Sequence, residues 1–295
     1  MTLGSSVMYV VSVVLPAVQA EFGVARADAS LPYTLLMVGF GIGGLLMGRL
    51  SDRHGARRVV WIGSVGLGAG YLLAAQSQSL WGFALAHGLL LGLAGSSATF
   101  GPLVADTSMW FVRRRGIAVA ICASGNYLAG AIWPPLVQQA IETVGWRQAY
   151  QGLGLACLLL MPLLAQGLRL RAPLAPAQGL PPARPQPGAA ALPTAAGGAG
   201  QRTEARDPAR PFGLKVATAQ GLLCVAGVAC CVAMAMPQVH IVAYCGDLGY
   251  GAARGAEMLS LMLACGIVSR LLSGAICDRI GGVRTLLLGS FLQGV

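Results

Sequence analysis

Eight apolar runs, each about long enough to cross a lipid bilayer, restrict this chain to one solvent. They are Thr2–Ala20, Leu31–Leu50, Val59–Gln76, Leu80–Ala105, Ile117–Ala140, Gln148–Leu170, Leu214–Cys245 and Ala256–Ile276. A helix rises about 1.5 Å per residue, so roughly 20 residues cover a hydrocarbon core about 30 Å thick. In lipid each such segment must satisfy its own backbone N–H and C=O groups, which selects helices for runs of this length. Composition agrees: 56% of the 295 residues are hydrophobic and 10% charged, a balance that a soluble surface of this size does not tolerate. The expected fold class is all-α, a polytopic membrane helical bundle. The seventh run is long and contains Pro237, which removes one backbone donor, so a kink or break is expected there. A ninth run, Thr285–Val295, has eleven residues. As a helix it covers about 16 Å, too little to span, and the second half of the bundle is expected to be incomplete.

The net charge of +10 would suit a nucleic acid only if the basic residues shared one soluble face. They lie between the apolar runs instead, which excludes nucleic acid and makes membrane lipid the expected surrounding partner. Alternate loops differ sharply. One set holds Arg49, Arg53, Arg57, Arg58, Arg113, Arg114, Arg115, the arginines from Arg169 to Arg210, Lys215, Arg279 and Arg284, and the other holds only Arg26, Arg147 and Arg254. Cytoplasmic loops collect basic residues, so the N-terminus is expected in the cytoplasm. Trp81 and Trp146 then fall near the outer interface, and Trp61 and Trp110 near the inner one. Lys215 is the only lysine; arginine dominance and an Ala-rich connection suggest a GC-rich bacterial gene, hence a bacterial inner membrane. The eight cysteines sit in apolar stretches without paired-ligand spacing and read as small core residues, with neither a metal nor a cofactor expected.

Residues 171–211 carry nine prolines among Ala and Gly and too little large apolar surface to pack a core, the pattern of a disordered cytoplasmic linker. The expected organisation is a six-helix bundle over 1–170, this linker, and over 212–295 the start of a second bundle comprising helices seven, eight and part of nine. An internal repeat supports the division. Residues 44–58 align without gaps on residues 270–284, with seven of fifteen positions identical. Each copy lies at the junction of the second and third helices of its half, as in parallel-repeat transporters.

The first copy, Gly48-x-Leu50-x-Asp52-Arg53-x-Gly55-x-Arg57-Arg58, resembles the signature loop of the major facilitator superfamily. Gly274, Asp278, Arg279, Gly281 and Arg284 form its second-half echo; Ala56 departs from the family's usual basic residue. The resemblance implies a 6+6 pseudo-repeat bundle, with this loop latching the cytoplasmic side in the outward-facing state. Physically, Gly48 permits close helix approach, Gly55 permits a tight turn, and Asp52 at a helix C-terminus needs a partner against the dipole. A positive-inside turn without gating function is the bland alternative. Arg115-Gly116-x-Ala118, Ser124-Gly125 and Gly130 ahead of Pro134-Pro135, with Gly145-Trp146-Arg147, are similar to the monocarboxylate and oxalate/formate porter branch. That likeness implies small organic anions as substrates.

Arg270 lies eight residues before Asp278, about 12 Å along the helix and near the midplane. An arginine there costs roughly 2.5 to 3.5 kcal/mol on insertion scales, so something must offset it. The aligned residue in the first half is Gly44, so the repeat itself does not demand a cation. Similar porters carry an arginine here that is implied to hold the substrate carboxylate; a helix-packing arginine bonded to carbonyls weighs equally. Animal members often have an aspartate four residues earlier, where this chain has Gly266, and proton coupling through such a pair is not expected. The coupled species is left between a proton and a counter-anion. Ser124, Asn126 and Tyr127 could line a cavity or serve as interhelical hydrogen-bond glue. His240 and Tyr244, one turn apart, could share the pathway or bond locally.

Enzyme signatures are missing: there is no His-Glu-x-x-His, no Gly-x-Ser-x-Gly and no phosphate loop. Gly39-x-Gly41-x-x-Gly44 matches the dinucleotide fingerprint in letters only, because it lies inside an apolar run and reads as helix packing. Two functions remain: a secondary active transporter of a small organic anion, such as a monocarboxylate or dicarboxylate, working by alternating access, or a transport-incompetent fragment acting at most as a membrane interaction protein.

Overall fold

In the computed structural model, residues 1–111, 114–169 and 216–294 are described. Among them every regular element is a helix: α1 Ser6–Phe22, α2 Arg26–Ala29, α3 Leu31–His54, α4 Ala56–Gln76, α5 Leu80–Leu85, a π-helix Ala86–Ser96, α6 Ser97–Trp110, α7 Arg115–Val144, α8 Trp146–Ala165 with a short 3₁₀ extension Gln166–Arg169, α9 Val216–Asp247, α10 Gly251–Ile280 and α11 Gly282–Gly294. Seven stretches are long and apolar enough to cross a membrane: Ala27–His54, Ala56–Gln76, Leu80–Trp110, Arg115–Val144, Trp146–Leu168, Gln220–Asp247 and Ala253–Ile280. The first helix, with 17 residues, stands at the lower limit for spanning. The chain is thus an all-α polytopic membrane bundle. Of the described residues, 1–169 and 236–294 form one compact unit, and 216–235 fall outside it. The proline-rich stretch 171–211, read as a linker, lies outside the described residues.

Lipid offers helices no hydrophobic reward for association, so close backbone approach through small residues holds them together. That is visible where α3 crosses the π-helix. A Cβ on Gly39 would collide with the Gly88 carbonyl, and one on Gly43 with that of Leu93. Gly63 and Gly66 on α4 press against Ala98 and Ala94. Of the three fingerprint-like glycines only Gly39 meets a neighbour, since Gly41 and Gly44 face open space. Exchanging Gly39 for valine is expected to destabilise the bundle by about 1–3 kcal/mol through overpacking and to lower the yield of monodisperse protein in detergent. Gly41→Val should leave that yield unchanged, and equal behaviour of the two variants would refute the packing role.

The buried heart of the first unit is aromatic. Phe83 lies edge-on to Trp146 with ring centroids 5.5 Å apart, and Tyr71 edge-on to Tyr150 at 5.2 Å, favourable geometries for ring quadrupoles. His87 spends both ring nitrogens here, on the Phe83 carbonyl at 2.8 Å and the Tyr150 hydroxyl at 3.2 Å. At the far end of α1, Trp146 Nε1 donates to Glu21 at 2.6 Å. Arg147 bonds the same carboxylate at 2.7 Å and the Ala75 carbonyl at 2.6 Å. Glu21 and Arg147 together therefore tie the ends of α1, α4 and α8.

Several expectations need correction. Trp146, expected near the outer interface, is 6% exposed and packs in the aromatic core, its N–H donating to the exposed Glu21 carboxylate. Trp61, Trp81 and Trp110 are exposed, as belt residues are. The seventh span runs through Pro237 as one helix, α9, without a break; a helix loses one hydrogen bond at proline but can continue around it. The fourth span is interrupted by an eleven-residue π-helix that its apolar pattern does not reveal. Cys157 and Cys245 are buried, whereas Cys224, Cys230, Cys231 and Cys265 are exposed, so the cysteines are not uniformly core residues. A thiol is apolar enough to sit on an outward helix face.

Candidate functional site

Helices α7 and α10 run antiparallel in contact over about 22 Å, from Gly116 to Ala131 on α7. The register is readable from paired residues: Asp278 with Gly116, Gly274 with Ala120, Arg270 with Ala123, Gly266 with Tyr127, Leu263 with Gly130 and Ser260 with Ala131. At one end the Asp278 carboxylate accepts the backbone N–H of Gly116 at 2.7 Å and of Ile117 at 2.9 Å. These are orphan donors of the first turn of α7, where the helix dipole favours an anion. The helices can close here because both are small: a Cβ on Gly274 would stand 2.5 Å from that of Ala120. At the other end the Ser260 hydroxyl donates to the Ala131 carbonyl.

The two copies of the repeat share one backbone solution. Gly55 turns with φ 85° and Gly281 with φ 86°, a region open to glycine at little steric cost. Their side chains differ in role. Asp278 caps α7, whereas Asp52 is exposed and bonds to none of the described residues. Gly48 meets nothing within 4 Å, so the close approach expected of it is not made; no described helix packs on that face of α3, and its counterpart Gly274 makes such a contact instead. Arg53, Arg57, Arg58, Arg279 and Arg284 are exposed.

Between the two ends sits Arg270, half-buried. One terminal nitrogen donates to the Ala123 carbonyl at 3.1 Å. The guanidinium carbon lies 4.6 Å from the centre of the Tyr127 ring, a cation–π distance. Among the described residues the ion pairs are Arg147–Glu21 and Arg254–Glu257, and neither involves Arg270. The carbonyl bond matches the helix-packing reading, yet it occupies one of five N–H donors. Among the described residues no carboxylate pairs with the rest of the fork.

The sequence-derived neighbours divide. Asn126 accepts a hydrogen bond from the Tyr9 hydroxyl at 3.1 Å, tying α7 to α1. The Ser124 hydroxyl turns back to the Ala120 carbonyl of its own helix at 2.7 Å, a local bond that serves neither cavity nor helix contact. His240 is exposed and borders a separate small cavity with Ser12, Pro16, Ala29 and Ser30. Tyr244 does not line that cavity and is 59% exposed. Neither is brought to Arg270. Tyr9, which pattern reading ranks only as a minor candidate, is buried beside Ala129, Val242, Leu259 and Leu263, an apolar cluster on the side of Arg270 away from Asp278. Only a hydroxyl within the apolar run of α1 hinted at it.

The profile of the Major Facilitator Superfamily matches residues 2–295. The chain belongs to that superfamily. Curated relatives include Monocarboxylate transporter 13 of Bos taurus, 32% identical over 248 residues, covering 83% of this chain and 52% of that protein. Monocarboxylate transporter 11 of Homo sapiens is 38% identical over 143 residues, covering 48% of this chain and 29% of that protein. The MFS-type transporter pynF of Aspergillus niger is 27% identical over 256 residues, 86% of this chain and 52% of its own length. The chain spans about half the length of these last-named and the bovine relative. This superfamily member is a multi-pass membrane protein of a transporter family and not an enzyme, and its relatives agree with the branch read from the α7 motif.

Proposed function

We propose that the chain takes part in carrying a small organic anion, a monocarboxylate or dicarboxylate, across the membrane by alternating access between two six-helix halves, of which 1–170 is the first. The observation carrying this reading is Arg270: a guanidinium at membrane depth, anchored by one bond to Ala123 and facing no carboxylate among the described residues. A carboxylate substrate would supply the missing countercharge in bidentate geometry. The monocarboxylate transporters among the relatives favour this substrate class. The coupled species is a proton or a counter-anion; Gly266 leaves no carboxylate at that position to take up a proton.

In this reading the joint between Asp278 and the start of α7 is a latch that closes one side. The basic loops favour an N-terminus in the cytoplasm, which makes the latched face cytoplasmic and the conformer outward-facing. Arginine dominance favours a bacterial inner membrane, although the relatives named above are eukaryotic.

The test is uptake of radiolabelled formate, lactate, pyruvate and oxalate into proteoliposomes containing the 295-residue chain. Saturable uptake of at least one, competed by unlabelled carboxylates and not by neutral analogues, is the expected result. Unsaturable leakage of all four would favour the alternative, a membrane protein that does not transport on its own.

A further inference from the structure

Among the described residues, what holds Arg270 in place is something other than a countercharge. Its guanidinium stands 4.6 Å from the Tyr127 ring centre, and one N–H reaches the Ala123 carbonyl. Both partners belong to α7, so α10 delivers the cation and α7 receives it. Tyr127 reaches this position because of what α10 lacks one turn from Arg270. A Cβ built on Gly266 would lie 2.6 Å from both Cδ1 and Cε1 of the Tyr127 ring, nearer than real Cβ atoms come, so any side chain there must push the ring aside.

We infer that Tyr127 is a positioning residue for Arg270 and that Gly266 is the vacancy that admits its ring. This rests on the reading of Arg270 as the anion-binding group and deepens it. The ring covers one face of the guanidinium and the carbonyl fixes one of its N–H groups, which leaves the edges of the fork for an anion in a set direction. Tyr127 acts through its ring face and not its hydroxyl. Asn126, the adjacent residue, is bonded to Tyr9, which steadies this turn of α7.

The experiment needs no transported substrate. The purified chain is treated with phenylglyoxal, an arginine-directed reagent, and modification of the Arg270 peptide is followed by mass spectrometry. Tyr127→Leu and Gly266→Ala should each speed modification of Arg270 roughly three- to thirtyfold, the range set by loss of a cation–π contact. The double variant should be no faster than either single one, because both remove the same contact. Tyr127→Phe should behave as native, since the ring face is kept. Native rates in both Tyr127→Leu and Gly266→Ala, or Tyr127→Phe reacting as fast as Tyr127→Leu, would overturn the inference. Each variant is checked for a monodisperse profile in detergent, and if one of the pair misfolds the other decides. Where uptake is measurable, Tyr127→Leu should raise KM more than it lowers kcat. Millimolar oxalate slowing the native reaction would support Arg270 as an anion site; no protection, with the Tyr127 pattern intact, would count against the anion reading alone.

Discussion

Arg270→Ala is expected to abolish carboxylate uptake while the protein still inserts and purifies normally. Truncating one member of a desolvated, hydrogen-bonded charge pair costs about 2–5 kcal/mol. At about 1.4 kcal/mol per tenfold, that is a loss of roughly thirty- to several thousandfold in kcat/KM. Insertion should not suffer, since an arginine at the helix centre opposes it by about 2.5–3.5 kcal/mol and alanine removes that cost. Arg270→Lys should fail nearly as badly. A lysine keeps the charge but cannot present a planar fork to a carboxylate, nor reproduce the ring contact with the bond to Ala123. Proteoliposome uptake with matched amounts of inserted protein measures both variants. Native uptake by Arg270→Ala would end the transport role of this residue and leave it as a helix-packing arginine.

The second large effect concerns the latch. Asp278→Ala removes two charge-assisted bonds from the first turn of α7 and an anion from the positive end of its dipole, together worth about 1–2 kcal/mol. A conformer that parts α7 from α10 at this end should become roughly five- to thirtyfold more populated. Cys277, partly buried beside the joint, is a native reporter: its modification by a membrane-impermeant maleimide should accelerate by the same factor. Asp278→Asn, which keeps one oxygen acceptor, should fall between. Asp52→Ala is the informative comparison, because Asp52 is exposed and bonds to none of the described residues; it should leave Cys277 labelling at the native rate. Unchanged labelling in Asp278→Ala would show that the joint carries no gating energy.

The difference between these two aspartates shows what pattern reading can reach. Both occupy the same position of the repeat, and both sit in the last turn of a helix whose C-terminal dipole disfavours them. The requirement for a partner is therefore legible in the letters. Among the described residues only Asp278 obtains one, because the N-terminus of α7 lies opposite it, and that is a fact of packing. Gly48 and Gly274 divide in the same way, with open space around the first and Ala120 against the second. The burial of Trp146 was hidden for a related reason: an indole before an apolar run does not show in its letters that Glu21, 125 residues away in sequence, accepts its N–H.

What the sequence by itself determined is the solvent, the approximate limits of the apolar helices, the repeat, and the placing of an arginine inside one of those helices. These follow from local quantities: apolar run length against bilayer thickness, and the cost of a charge in hydrocarbon. Only the tertiary structure decided which small residues bear contacts, that Tyr9 joins Asn126 and Ser124 does not, and that the ring of Tyr127 fills the space above Gly266 to meet Arg270. In lipid every helix face is apolar, so hydrophobicity no longer distinguishes inside from outside. The choice passes to close packing and hydrogen bonds between helices, which are written in three-dimensional register and not in periodicity.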